Sequence, residues 1–481
     1  MGMNFINGEW TPGRSGASFE RRNPADTRDL IGQYPESGPE DVNAAVAAAR
    51  NALPGWRRLS PDARAQFLFK AAQILESRKA EVAAALTREE GKSLPEATGE
   101  TGRGVVLLRY FAGEGLRVGG EVIPSVQPNA LLFTERVPLG VVGLITPWNF
   151  PVAIPLWKAA PALVYGNTVV LKPSELSPET ARLLTEVLHE AGLPPGVFNL
   201  VQGGREAGAA LTRSELHGLS FTGSVATGKA IAAACVERGI KYQLEMGGKN
   251  PVVVLEDADM AQAVELTVQG AMKSAGEKCT ATSRAIVVES VADEFTRRVV
   301  ERVRHLEIGP GTDPNAYLGP VITAEAREKI RAHIDQAVSG GAHLLCGGSP
   351  AHRPDLMYGH YIWPAVLDRV TPEMPIAQEE VFGPVLAILR VPDFDTALKV
   401  ANGVAYGLSA SVFTADIGKA LRFAREIEAG LVRVNGETAG VEPQAPFGGM
   451  KASSSFSREQ GQAAKEFYTQ IKTISLEKAG T

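Results

Sequence analysis

The chain has 481 residues, enough to bury a large core and to form roughly two to four domains. An apolar share of 44%, a charged share of 21% and a net charge of −5 are those of an ordinary globular protein, and they argue against nucleic acid or an anionic membrane as partner. The three cysteines (Cys235, Cys279, Cys346) are too few for a disulfide framework and fit a reducing cytosol. No C-x-x-C pair occurs and the histidines lack metal-ligand spacing, so no metal is expected.

The opening M-G-M-N-F-I-N-G-E-W has no basic stretch followed by an apolar one, and does not read as a signal peptide. Ile6 stands where a myristoylation start needs Ser or Thr. Residues 5–35 read as short strands and turns. Helical patterns follow: Val42 to Ala52 opened by Pro39-Glu40-Asp41, Ala63 to Ser77 capped by Ser60-Pro61-Asp62, then Lys79 to Gly91 and Leu94 to Gly113. V-G-G-E-V-I-P-S and the β-branched run from Leu131 read as strands. The apolar stretch Val141 to Tyr165 is broken by Pro147, Asn149, Pro151, Pro155, Lys158 and Pro161, which argues against a membrane span and for a cytoplasmic protein.

From Val141 strand and helix alternate as far as Y-Q-L-E-M-G-G, and this spacing implies a mostly parallel sheet with helices on both faces. Ligands of such sheets bind beyond the carboxyl ends of the strands. Asn149, Lys172, the turn after Phe221 and Glu245 all fall there. A second alternating region begins at Asn250 and runs to about Phe447. The last run, Phe467 to Ile474, alternates like a strand with nothing local to pair with; it is expected to join another subunit's sheet or an earlier hairpin.

Cys279 stands in A-M-K-S-A-G-E-K-C-T-A-T-S-R, after a helical run and before the apolar run from Ala285, and not inside an apolar pattern. Lys278 or nearby backbone N–H groups would lower its pKa and make it a nucleophile; on this evidence alone an inert thiol stays open. The turn Phe221-Thr222-Gly223-Ser224-Val225-Ala226-Thr227-Gly228-Lys229 leaves a strand and starts a helix, which suits a phosphate, but it is neither a Walker A loop nor G-x-G-x-x-G, and an ordinary strand-to-helix turn stays open. Lys172 and Glu175 in L-K-P-S-E can hold ribose hydroxyls or simply lie beside a solvated helix cap. Glu245, before Gly247-Gly248, is either a partly desolvated general base or a paired structural glutamate. The Asn149 amide, in P-W-N-F-P, can donate to a developing oxyanion.

In this order, P-W-N-F-P, K-P-S-E, F-T-G-S-x-x-T-G, L-E-M-G-G-K-N-P, G-E-K-C-T-A-T-S-R, E-E-V-F-G-P-V and P-F-G-G-M-K resemble the aldehyde dehydrogenase superfamily over nearly the whole chain. The resemblance implies an α/β fold: a Rossmann-like dinucleotide-binding domain (1–120 and 140–247), an α/β catalytic domain (248–455) and a small β oligomerisation arm (121–139 and 456–481), in a homodimer or homotetramer. It makes Cys279 the nucleophile, Glu245 the base that activates water, and Asn149 with the Cys279 N–H the oxyanion site. It puts the adenosine ribose on Lys172 and Glu175, the pyrophosphate by the Gly223–Gly228 turn, and the nicotinamide ribose on Glu380 and Phe382. Thr146, Trp148, Ser174, Gly204, Phe221, Thr222, Ser224 and Thr227 line the same cofactor. Glu175 should repel a 2′-phosphate, so NAD is expected, with NADP possible.

Two departures stand out: Lys278, where many relatives carry an uncharged residue, and A-S-S-S-F-S-R-E-Q-G in place of the commoner S-G-x-G-R-E. Both look most like the 2-oxoglutarate semialdehyde (2,5-dioxopentanoate) dehydrogenases. Arg103 is a candidate for the substrate's remote carboxylate, or else a surface helix residue. Phe150, Trp157 and Phe456 are expected as tunnel walls, with Lys278 and Thr280 flanking the nucleophile. Rival readings are a succinate-semialdehyde or broad-specificity enzyme, a cysteine acyl-transferase or thioesterase, and a non-catalytic relative.

Overall fold

The structure, a computed structural model, describes residues 2–117, 119–351 and 353–477; the domain and arm ends placed at residue 1 and at 478–481 lie outside the described residues. The first sheet runs in the order Lys241–Glu245, Gly218–Thr222, Val141–Ile145, Thr168–Lys172, Phe198–Leu200, Asn4–Ile6, Glu9–Thr11. Its first five strands are parallel, and the N-terminal hairpin adds antiparallel at the edge. Val141–Ile145 and Thr168–Lys172 are buried throughout, because helices cover both faces. Successive side chains point to opposite faces: Val142, Leu144, Val169 and Leu171 enter one core, Val141, Ile145 and Val170 the other.

Helices Pro61–Ser77, Lys79–Glu90, Leu94–Glu114, Ala153–Val164 and Pro178–Glu190 all contribute to the first of those cores. Ser60 caps the first of them by accepting from the Ala63 N–H, and Ser93 with Glu96 forms a capping box on the third. The helix opened at Pro39 extends past Ala52 and through Pro54 to Arg58. Its last turn is tied down from outside, by Trp56 Nε1 donating to the Leu163 carbonyl at 3.0 Å.

The second sheet runs His343–Cys346, Ala365–Asp368, Val385–Val391, Thr282–Val288, Asn250–Val254, Ser409–Phe413, Leu431–Val434, parallel except for its first strand. A third, small sheet joins Val122–Ile123, Ala130–Pro138 and Thr469–Glu477. The terminal strand finds its partner within the chain, antiparallel to Ala130–Pro138 along its whole length. It starts later than the sequence pattern suggests. Phe467 and Tyr468 close a short helix, Ala464–Tyr468, and are buried in the core of the first sheet. Ala464, Phe467 and Tyr468 thus pack in the core of the first sheet, and the strand from Thr469 pairs in the small third sheet.

Candidate active site

The helix Met260–Met272 ends in a tight turn, Lys273–Gly276, in which Ser274, Ala275 and Gly276 have φ of 54°, 49° and 68°. Three left-handed residues in a row cannot continue a helix, so the chain reverses. A β-carbon at Gly276 would collide with the Gly383 carbonyl. Glu96 holds the strained turn by accepting from the Ser274 N–H at 2.8 Å and its hydroxyl at 3.1 Å. Beyond it, Asn250 Nδ2 donates to the carbonyls of Cys279 and Ala281 at 2.8 and 2.9 Å. Cys279 is thereby fixed between helix and strand, half-buried and free of any disulfide.

Asn149 reaches this loop from the first sheet. Its Nδ2 donates to the Glu277 carbonyl at 2.9 Å, which leaves the second amide hydrogen for another acceptor. Its backbone carbonyl accepts from Lys92 Nζ at 2.7 Å, and that buried ammonium pairs with Glu100 at 2.7 Å and Glu90 at 3.7 Å. Glu100 in turn accepts from the Val152 and Ala153 N–H groups, at the start of the helix Ala153–Val164. One buried ion pair therefore sets the whole Asn149 loop.

Glu245 ends its strand with Ser454 donating to Oε2 at 2.5 Å, while Oε1 is buried without a partner. Burial, then the negative charge of Glu459, pushes its pKa well above the usual carboxylate range. Glu459 itself is gripped by the buried Lys158. The Cys279 thiol is pushed up to about 12, by burial first and then by Glu380 and Glu245. This reverses the expectation that Lys278 or nearby N–H groups lower it: the N–H groups of Cys279 and Thr280 do pull downward, but are outweighed. Lys278 is buried, its own pKa lowered by desolvation, and its charge faces Glu437 and Glu96.

At the carboxyl ends of the first sheet, the Thr146 and Thr222 hydroxyls are buried without partners, as a site built for a ligand would leave them. Lys172 Nζ donates to the Gly203 carbonyl at 2.9 Å and the Gly204 carbonyl at 3.4 Å, and lies 3.6 Å from the half-exposed Glu175. Ser174 caps its own turn through the Leu176 N–H, and the Gly204 N–H donates to Glu36. Ser224 caps the helix Val225–Glu237 on the Thr227 N–H, leaving other first-turn N–H groups outside the helix's own bonding. A β-carbon at Gly223 would strike the Phe221 ring, and one at Gly228 the Met246 side chain, so bare backbone forms the surface of this turn. Phe221 lies buried beneath it. Glu380 accepts from the Gly248 N–H at 3.0 Å, and Phe382 (φ 54°) meets Trp148 edge-on at 5.8 Å across the two sheets. This cradle fits a dinucleotide.

The sequence profile described as the aldehyde dehydrogenase family matches residues 10–474. The chain belongs to the aldehyde dehydrogenase family. It is 52% identical to the alpha-ketoglutaric semialdehyde dehydrogenase of Bacillus subtilis, over 98% of this chain and 97% of that one. It is 44% identical to the alpha-ketoglutarate semialdehyde dehydrogenase of Haloferax volcanii, over 98% of each. Among solved structures, betaine aldehyde dehydrogenase of Staphylococcus aureus in complex with NAD+ superposes with a TM-score of 0.97 at 35% identity, covering 99% of this chain and 95% of that one.

Around the thiol of this aldehyde dehydrogenase, the expected substrate residues divide. Trp157 is buried and packs on Phe447 with ring centroids 5.2 Å apart; Phe150 is half-buried under the Lys92 ammonium at 4.4 Å. Thr280 is buried, its carbonyl accepting from Thr438. Arg103 is half-buried, its guanidinium donating to Gln460 Oε1 at 2.8 Å, with no ion pair among the described residues. Phe456 is 94% exposed, unlike Trp157 and Phe150. Ser454 and Ser455 turn inward, to Glu245 and to the Leu244 N–H, and the next side chain is thrown out to solvent.

Ser454, Phe447, Gln460 and Lys92 went unassigned from sequence. The first three lie in or beside P-F-G-G-M-K and S-R-E-Q-G, so their motifs were visible and their contacts were not. Nothing in E-E-G-K-S-L marks Lys92 as buried.

Proposed function

We propose that this enzyme oxidises 2,5-dioxopentanoate to 2-oxoglutarate by a hydrolytic route, with NAD as the preferred cofactor. The observation that carries the substrate is Arg103: a half-buried guanidinium held by a neutral amide, with burial lowering its pKa and the Glu442 carboxylate near enough to raise it, but no ion pair among the described residues. A substrate carboxylate is the natural partner for such a group, since a guanidinium binds one bidentately. The two relatives named for the same semialdehyde support the reading.

Glu245, whose charge bears on the thiol, takes the Cys279 proton and later releases it to solvent, and Sγ adds to the aldehyde carbon to give a thiohemiacetal. The oxyanion lies at the Cys279 N–H and the free Asn149 amide hydrogen, both held rigid before substrate arrives. When bound, NAD supplies the nicotinamide carbon that accepts the hydride and leaves a thioester on Cys279. Lys172 and Glu175 would hold its adenosine ribose, the Gly223–Gly228 turn its pyrophosphate, and Glu380 with Phe382 its nicotinamide ribose. Glu245, with its raised pKa, takes a proton from the water that attacks the thioester, and Cys279 leaves as thiolate. The free acid is the product. The arm strands, with Leu131, Ile471 and Leu476 exposed, would bury those side chains against another copy of the chain. Free cysteines support a reducing, cytoplasmic setting for the enzyme; among the described residues no helix is long and apolar enough to cross a membrane.

NADH and NADPH formation with 2,5-dioxopentanoate, succinate semialdehyde and a neutral aldehyde of similar length tests this, for wild type and Arg103→Ala. The charged substrates should win by about tenfold or more in kcat/KM, the worth of one charge-assisted contact, and the variant should lose that margin. A neutral aldehyde that does as well would sink the substrate assignment.

A further inference from the structure

Gln460 is fully buried in the S-R-E-Q-G segment, at φ 58° and next to Gly461 at 53°. The segment is fixed on both sides. Glu459 exchanges both backbone hydrogen bonds with Phe447, and the Gly461 N–H donates to the Pro443 carbonyl at 3.0 Å. Gln460 Oε1 accepts from Arg103, which decides the orientation of the amide, because a guanidinium has only donors to offer. Nε2 is then buried with no acceptor. Trp157 Nε1, stacked beside Phe447, is a second buried donor without a partner. Buried donors in folded proteins nearly all find acceptors, so the unmatched Gln460 Nε2, on the amide that holds the Arg103 guanidinium, points to an acceptor the chain does not contain.

We infer that Gln460 donates from Nε2 to the 2-oxo oxygen of the substrate while Arg103 takes the adjacent carboxylate. This rests on the assignment of Arg103 to the remote carboxylate. A 2-oxo acid carries its carbonyl oxygen and carboxylate on neighbouring carbons. A guanidinium and an amide joined by a 2.8 Å hydrogen bond present matching neighbouring donors. The same bond holds the guanidinium in place, so Gln460 both orients Arg103 and reads the group beside the carboxylate. A semialdehyde without the 2-oxo group would leave the Nε2 donor unmatched, and a site built for a hydrogen bond rejects the analogue that lacks it.

The test compares 2,5-dioxopentanoate with 5-oxopentanoate, which has the same length and a methylene where the ketone stands. Wild type should favour the 2-oxo substrate by at least about tenfold in kcat/KM. Gln460→Met should erase most of that preference, whereas Arg103→Met should lower both substrates alike. Should Gln460→Met lower both equally and keep their ratio, Gln460 only positions Arg103 and the inference is overturned, with the semialdehyde assignment intact. If Arg103→Met changes neither substrate, the assignment beneath it fails. A measurement on the unaltered enzyme guards against a misfolded variant: 2-oxoglutarate should inhibit at least about tenfold more tightly than glutarate, and equal inhibition overturns the proposal.

Discussion

Ser454 donates its hydroxyl to the Glu245 carboxylate at 2.5 Å, and the opposite oxygen of that carboxylate has no partner among the described residues. With the charges of Lys158 and Arg458, this bond pulls the Glu245 pKa down against burial and the Glu459 charge. A hydrogen bond to a charged group is worth roughly 1.5–3 kcal/mol, or about one to two pKa units. Ser454→Ala should therefore raise the pKa further. Glu245 must be ionised to take a proton from water, so the acid limb of the hydrolysis step moves to higher pH by about one unit. Single-turnover thioester hydrolysis measured from pH 5 to 9 reads it: the variant loses more rate at pH 6 than at pH 9. An unshifted profile would mean that Ser454 does not tune the base.

Glu175 governs the second prediction. It stands half exposed, 3.6 Å from Lys172 Nζ, at a strand end that can receive the adenosine ribose. Two like charges about 4 Å apart in water-like surroundings repel by about 1 kcal/mol. Glu175→Gln should improve kcat/KM with NADPH relative to NADH by about fivefold, mostly through KM for the phosphorylated cofactor. A ratio that stays where it was removes Glu175 from cofactor choice.

A third prediction concerns stability. Burial pushes the Glu90 pKa up from 4.5 to about 7, with Lys92 pulling the other way. A carboxyl whose folded-state pKa is raised contributes stability that is complete below its unfolded pKa and is lost as pH climbs through the folded one. The Glu90 contribution thus fades between about pH 4.5 and pH 7, by a few kcal/mol in order of magnitude. Glu90→Gln removes the titration. Urea midpoints should favour the variant over wild type more at pH 8 than at pH 5. The same difference at both values would show that Glu90 does not titrate in this window.

Much of the fold was written in local pattern. Val141–Ile145 and Thr168–Lys172 are runs of β-branched and aliphatic residues that only a sheet covered on both faces can bury, and they read as such. Ser60 and Ser93 announced their helices by cap chemistry. Cys279 stood out because small and polar residues surround it, as a turn between helix and strand requires. Two boundaries were misplaced where distant contacts outweighed local preference: Trp56 carries its helix past Pro54, and Phe467 is drawn into the core of the first sheet and out of the terminal strand.

The sequence by itself determined the alternation of strand and helix, the placing of Asn149, Lys172 and Glu245 at strand ends, and the family, because ordered short motifs survive in a linear string. The tertiary structure decided what the charges do. The Cys279 thiol is raised first by burial and then by Glu380 and Glu245, which lie 101 and 34 positions away along the chain, and not lowered by its neighbour Lys278. Phe447 packs on Trp157, while the inward-turned serines send Phe456 to solvent. Arg103 and Gln460, 357 residues apart, meet only in the folded chain. Burial and long-range electrostatics depend on distance in space, and a string of residues records only distance along the backbone.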